Sequence, residues 1–308
     1  MKVSEIPKSI CSLAKVARSY VLLTAAHNEE ANIERTIRSV LLQTLRPLRW
    51  VIVSDNSSDR TDDIVQRYAN SHPFINFLRI DRPSGHSFAA KVVALRRGAN
   101  LLQGTDYQYI GNLDADVAVD PCYFETLIEH FEQNPSLGVT GGFVYEEHNG
   151  EFTSRKINRV RDVAHAGQLV RRGCYEMIGG YAVLKYGGED WHAETSARMK
   201  GWWVEAVPTL RIYHQRHTGA RNHPLKHGFR LGRLDYSFGS HPVFELIKCL
   251  RRLPERPYVF AALARLTGFS WGYVVREPRE VSEEFVAFLR KEQSSRVGAL
   301  FGLEHQRQ

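Results

Sequence analysis

Asp114-Ala115-Asp116 closes the strand-like run Tyr107–Leu113. Two carboxylates one residue apart on extended backbone project to the same side. Hard oxygens so placed suit Mg²⁺ or Mn²⁺ that also takes phosphate oxygens. The same three residues also fit a turn that simply favours Asp. Asp55-Asn56-Ser57-Ser58-Asp59-Arg60-Thr61 follows a second apolar run, Trp50–Val53. Asp55 can accept hydrogen bonds from a base or ribose, and Ser58 can cap the helix that follows; a capping loop without a ligand uses the same residue types. Glu189-Asp190 lies in Tyr186-Gly187-Gly188-Glu189-Asp190-Trp191. A carboxylate on a Gly-rich loop beside an aromatic ring can remove a proton from a sugar hydroxyl, although a surface acid pair is the more ordinary reading of that dipeptide alone. His214, within Arg211-Ile212-Tyr213-His214-Gln215-Arg216-His217, offers an imidazole that can complete a divalent site begun by a carboxylate, or is an ordinary polar histidine.

These groups act together only if the fold gathers them. The first half of the chain alternates strand-like and helix-like segments. Tyr20–Ala26 is a buried-strand candidate, followed by a helical stretch with Asn28 as N-cap, Glu29 and Glu30 in its first turn, and Ile33, Ile37, Val40 and Leu41 on one stripe. Trp50–Val53, a helix carrying Ile64, Val65 and Tyr68, strand Ile75–Ile80, helix Lys91–Leu102 and strand Tyr107–Leu113 continue the pattern. Strand–helix repeated three times, then a strand ending in acid, predicts a parallel sheet covered by helices on both faces. Ligands of such sheets bind beyond the carboxyl ends of the strands, where the chemistry-bearing residues fall. The later half is less regular, with strand candidates Gly138–Tyr145 and Trp202–Val207.

The set as a whole resembles family 2 glycosyltransferases, over roughly residues 20–218. Leu22–Gln43 resembles the family's opening segment, and VIVSDNSSDRT resembles its "VDDGSTDGT". Lys91-Val92-Val93-Ala94-Leu95 with Gly98 resembles "K-x-x-A-L-N-x-G", and Asn112–Asp116 resembles the DxD. Tyr186–Trp191 resembles the "GGED" acceptor loop, and Val207-Pro208 leading to His214 resembles the strand bearing the late metal-binding histidine. The resemblance implies an α/β GT-A fold, with a mixed, mostly parallel sheet flanked by helices and a C-terminal helical extension. It implies boundaries of 1–19 for an N-terminal extension, 20–218 for the catalytic domain and 219–308 for the basic extension.

By motif position, Ala25, His27 and Glu29 would line the nucleoside pocket, with Ala115 also near the nucleotide. Asp55 would meet the base, Lys91 the ribose or diphosphate, and Asp114 the ribose. Asp116 and His214, with Asp114 beside them, would hold the Mg²⁺ or Mn²⁺. Asp190 would be the general base, with Glu189 next to it. The family inverts by single displacement from a nucleoside-diphosphate sugar. Asn56 departs from the usual second Asp, and Arg96-Arg97 from the usual Asn. No Q-x-x-R-W follows Asp190, which favours single-sugar transfer over processive synthesis. Bacterial relatives often glycosylate lipid-linked or surface precursors on the cytoplasmic face, so the acceptor would be a lipid-linked or other hydroxyl in glycolipid or surface polysaccharide synthesis.

The bulk properties agree. With 308 residues, 43% apolar and 24% charged, the chain is one large or two small globular domains, not a disordered one. A mean hydropathy of −0.35, without about 20 uninterrupted apolar residues, argues against a polytopic membrane protein. The N-terminal sequence lacks the apolar core of a signal peptide. Cys11, Cys122, Cys174 and Cys249 are dispersed, as reduced thiols of a cytoplasmic protein would be. Net charge is +7, and from Arg211 onward 17 Lys/Arg face 9 Asp/Glu, a balance suited to phosphates, anionic lipid or nucleic acid. Tyr258–Val275 is apolar but broken by Arg265. It would lie in a bilayer interface with Arg251, Arg252 and Arg256 on anionic lipid, or pack on the protein or across a homodimer. Two alternatives compete with sugar transfer. A nucleotidyltransferase would carry a Gly-rich basic phosphate loop, which Thr24–Glu30 lacks. A nucleic-acid binder would leave the acids and the late histidine unexplained, and no RNA-binding motif is present.

Overall fold

The computed structural model describes residues 18–81, 89–148, 150–215, 223–253 and 258–300. Cys11, Arg216, His217, Thr218 and Arg256 lie outside them. The chain divides into two compact units, Met1–Val183 with Glu189–His217, and Leu184–Gly188 with Thr218–Gln308. The short Gly-rich segment before Glu189 thus belongs with the C-terminal helices, an excursion that linear boundaries do not express.

The first unit is built on a nine-stranded mixed sheet. Its parallel half holds β1 (Tyr20–Ala26), β2 (Arg49–Asp55), β3 (Ile75–Ile80) and β4 (Tyr109–Leu113), ordered β3-β2-β1-β4. β1, β2 and β4 are apolar and buried along almost their whole length, as strands covered on both faces must be. The covering helices are α1 (Ile33–Leu41), α2 (Thr61–Ser71) and α3 (Ala89–Asn100). α1 buries Ile33, Ile37 and Val40 and turns Glu34 and Arg38 outward, where they pair at 2.9 Å. Beyond β4 the chain forms β5 (Val117–Val119), α4 (Tyr123–Gln133), β6 (Leu137–His148), β7 (Glu151–Ser154) and β8 (Gly167–Arg171). α5 (Arg172–Met177), α6 (Glu189–Met199) and β9 (Trp203–His214) complete this unit. β8 is antiparallel to both β4 and β6, whereas β9 is parallel to β6. The last residues of β9 pair antiparallel with β5, setting His214 opposite Val117.

The second unit holds α7 (Pro224–Ser237), α8 (Pro242–Arg251), α9 (Val259–Val274) and α10 (Glu283–Leu300). α7 and α9 touch backbone to backbone. A Cβ at Gly232 would stand 1.9 Å from the Arg265 carbonyl oxygen, and one at Gly268 would stand 2.1 Å from that of Phe229, so only glycine fits at either crossing point. Among the described residues no helix is long and apolar enough to cross a membrane.

Candidate active site

The carboxyl ends of β1 and β2 carry two tied loops. Asn28 and Asn56, one after each strand, have φ of 54° and 53°, left-handed backbone that Asn tolerates better than most residues; this accounts for Asn56 where an acid was expected. Asn28 does not cap α1, whose N-cap is Asn32. Its Oδ1 accepts from the Ser58 amide at 2.8 Å and thereby ties the loops together. Nor does Ser58 cap α2: Asp59 Oδ1 accepts from the Thr61 amide at 3.0 Å. Exposed His27 donates from Nδ1 to the Asp55 carbonyl at 2.6 Å, while the Asp55 side chain is buried. Ala25 is half-buried near the end of β1. Glu29 is buried and accepts from Asn32 Nδ2 at 3.0 Å.

The Asp114–Asp116 turn is pinned from two sides. Thr36 on α1 donates to the Ala115 carbonyl at 2.8 Å, and the Asp114 amide donates to the Ala166 carbonyl at 2.9 Å. The Ala115 side chain itself is part of the core. Within the turn the two acids take different partners. Asp114 Oδ1 lies 2.7 Å from Lys91 Nζ and accepts from Asn112 Nδ2 at 3.0 Å. Asp116 Oδ1 lies 3.5 Å from His214 Nε2, a juxtaposition made by the β5–β9 pairing.

Lys91 is the hub of the charged cluster. Burial works against its ammonium, but Asp114 foremost, with Glu189 and Asp190, raises its pKa above the ordinary value. Burial pushes the Asp114 carboxyl up, yet Lys91 outweighs it and holds the group well below the carboxylate range. Asp190, in the first turn of α6, is pushed up to about 6 by burial and by the neighbouring Glu189. A carboxylate poised there is an effective base near neutral pH.

No motif in the sequence singles out His165. The imidazole is buried 3.8 Å from Glu189 Oε1 and edge-on to Tyr181, with ring centroids 4.4 Å apart. Burial and the Lys91 charge hold its pKa well below the ordinary value, so it is neutral. Among the described residues neither ring nitrogen has a hydrogen-bond partner, and Asn112 Oδ1 and Gln168 Nε2 on adjacent strands have none there either. Buried polar groups are normally satisfied, by water or ligand where protein does not serve. The only sequence signal was the pair of polar residues, His165 and Gln168, around an otherwise apolar strand.

The sequence profile of "Glycosyl transferase family 2" matches residues 22–190, a span containing every cluster just described except the Asp116–His214 partner. This chain belongs to that family. Poly-beta-1,6-N-acetyl-D-glucosamine synthases of Staphylococcus epidermidis and Staphylococcus aureus strain COL are each 32% identical over 120 residues, 39% of this chain and 27% of those enzymes. The chain therefore matches only about a quarter of their length. Among solved structures, this family 2 glycosyltransferase is similar to S. aureus TarS 1-349 in complex with UDP, at 13% identity and TM-score 0.51, covering 90% of this chain and 82% of that one. It is also similar to the mannosyltransferase PcManGT of Pyrobaculum calidifontis with GDP-Man and Mn²⁺, at 16% identity and TM-score 0.51, covering 94% and 88%. GalNAc-T7 with UDP, GalNAc and Mn²⁺ gives 15% identity and TM-score 0.52, covering 85% and 58%. At these identities the likeness establishes the GT-A fold.

The donor set suits a divalent cation that is completed by substrate. Among the described residues no three His, Cys, Asp or Glu side chains converge on one point. Asp116 and His214, 3.5 Å apart, are hard and borderline donors that would suit such a cation together with substrate oxygens.

Proposed function

We propose that this glycosyltransferase moves one sugar from a nucleoside-diphosphate donor to an acceptor hydroxyl by a single inverting displacement dependent on Mg²⁺ or Mn²⁺. One observation supports this most: the DxD turn sets Asp116 beside His214 at 3.5 Å, and two residues earlier sets Asp114 on Lys91, which lies in the field of Glu189 and Asp190. A cation seat, a phosphate-seeking ammonium and an activated acid are thereby gathered around one turn from segments far apart in the chain.

In this reading Asp116 and His214 hold the cation, which would offset charge developing on the departing diphosphate. His27, Glu29 and Asp55, with Ala25 beside them, border the nucleoside at the ends of β1 and β2. Lys91 exchanges part of its contact with Asp114 for the donor phosphate, and Asp114 turns to the ribose. Asp190 accepts the proton of the acceptor hydroxyl as its oxygen attacks the anomeric carbon; the bond from that carbon to the diphosphate oxygen breaks, and the nucleoside diphosphate leaves. Glu189 keeps Asp190 basic by like-charge repulsion. Transfer stops at one sugar because no Q-x-x-R-W follows Asp190, and the 120-residue match to polymer synthases does not bring their polymerising activity with it. In this reading the catalytic domain falls within residues 20–217, less the segment Leu184–Gly188 that groups with the C-terminal helices. The acceptor is a lipid-linked or other hydroxyl precursor of a bacterial envelope glycan, on the cytoplasmic side, where the free thiols Cys122, Cys174 and Cys249 stay reduced.

A thermal-shift panel of UDP-, GDP-, dTDP- and CDP-sugars with and without Mn²⁺ tests the reading, since ligand binding raises apparent stability. One donor should raise the midpoint in a Mn²⁺-dependent way, and turnover should release nucleoside diphosphate. Absence of a shift with every donor, or release of pyrophosphate, would overturn it.

A further inference from the structure

α9 carries a single charged residue, Arg265, and it points inward: its Nε donates to Glu245 Oε1 at 2.7 Å, and its Nη2 meets Asp235. Lys248 pairs with Glu245 at 3.1 Å and also with Asp235. Arg265, Asp235, Glu245 and Lys248 thus form an ionic cluster within this unit, beside the buried Leu234, Ala262 and Phe269, while a second set of apolar side chains faces outward. On α9, Phe260, Leu263, Trp271 and Val274 recur at helical spacing with 46–71% exposure, and Tyr258, Val259 and Tyr273 are exposed with them. On α8, Val243, Leu246 and Leu250 repeat the pattern, with Leu253 exposed just beyond the helix. Apolar side chains exposed in a row along one helix mark an interaction surface.

We propose that the α9 face, with the α8 stripe beside it in sequence, docks on the surface of an anionic lipid bilayer, with α9 lying in the plane of the interface. Three features select lipid over a second copy of the chain. Arginines flank the stripe at both ends, Arg251 and Arg252 before it and Arg276 and Arg279 after it. Among the described residues, the acids next to the second arginine pair are engaged within the unit: Glu277 by Lys185, Tyr186 and Arg233, and Glu280 by the Lys185 amide. The outer face is also rich in Trp and Tyr, whose amphipathic rings favour the headgroup level. α9 has 16 residues, about 24 Å of helix, too short for a hydrocarbon core of about 30 Å, so it lies on the membrane. The inference stands on the helical unit alone and survives a failure of the sugar-transfer reading.

The test is flotation of the full chain with phosphatidylcholine vesicles and with phosphatidylcholine–phosphatidylglycerol vesicles, at low and high salt. The intact protein should float with the anionic vesicles at least about tenfold more than with the neutral ones. Leu263→Ser with Trp271→Ser should abolish flotation, and Arg251→Gln with Arg276→Gln should abolish the anionic preference, neither moving the thermal midpoint. No flotation at low salt, flotation that both double variants leave intact, or a dimer by sedimentation that the Leu263/Trp271 variant converts to monomer without any vesicle binding would each overturn the proposal.

Discussion

Asp190 sits in the first turn of a helix, where a carboxylate is ordinarily favoured, yet burial and Glu189 push it up to about 6. A base must be ionised, so turnover should rise with pH through about 6 and level off above it; a profile flat across that range would remove Asp190 from the role. Asp190→Asn should lower turnover about 100- to 10,000-fold while the donor still raises the thermal midpoint. The same shift sets a stability effect of defined sign. A carboxyl whose folded pKa is raised contributes stability below its ordinary value of about 4, and that contribution is lost as pH rises through about 6. Above that pH the buried charge costs about 1–3 kcal/mol. Asp190→Asn should therefore stabilise the protein at pH 8, and the gain should vanish near pH 4 in denaturant titrations. Asp116→Ala acts on the opposite function: Mn²⁺-dependent donor affinity should fall by more than about tenfold, or roughly 1.4 kcal/mol, in calorimetry, with metal-free nucleotide binding unchanged.

At the scale of elements, the cation seat depends on a three-residue strand. β5 has only Val117–Val119 to pair with β9, and the turn before it is held to α1 by the hydroxyl of Thr36 on the Ala115 carbonyl. Thr36→Val preserves shape and removes the donor. It leaves a buried carbonyl unmet, which should cost about 1–2 kcal/mol of stability, and it frees the turn that sets the spacing between Asp116 and His214. Mn²⁺-dependent donor affinity should weaken severalfold. If unfolding shows the stability loss while calorimetry shows donor affinity untouched, α1 supports the fold without positioning the site. The parallel half of the sheet was legible because β1, β2 and β4 are short apolar runs separated by amphipathic helices. In the other half, Gly138–Tyr145 and Trp202–Val207 were legible as parts of β6 and β9, but β5, β7 and β8 were not: Gly167–Arg171 is five residues long, and local pattern carries no information about the strand it will join.

For the whole molecule, two compact units predict two unfolding transitions rather than one. Gly232→Ala drives a methyl into the Arg265 carbonyl and should destabilise the helical unit by about 1–3 kcal/mol. In calorimetric scans one transition should move down, while the transition that donor and Mn²⁺ move up stays in place; a single transition shifted by both would contradict the division. Sequence alone determined the alternation of strands and helices, the acids placed at strand ends and the excess of positive charge after Arg211, because each follows from local pattern and from where apolar residues can be buried. Only the tertiary structure decided which groups meet. The pairing of Asp116 with His214, the sharing of Lys91 between Asp114 and the acids of α6, and the buried His165 arise from strand order and register, which join segments far apart in the chain. Arg265 shows the same limit most plainly: its place in an apolar run is visible in the sequence, but the direction it faces, and hence which side of α9 meets water, was fixed by its buried partners Asp235 and Glu245 on two other helices.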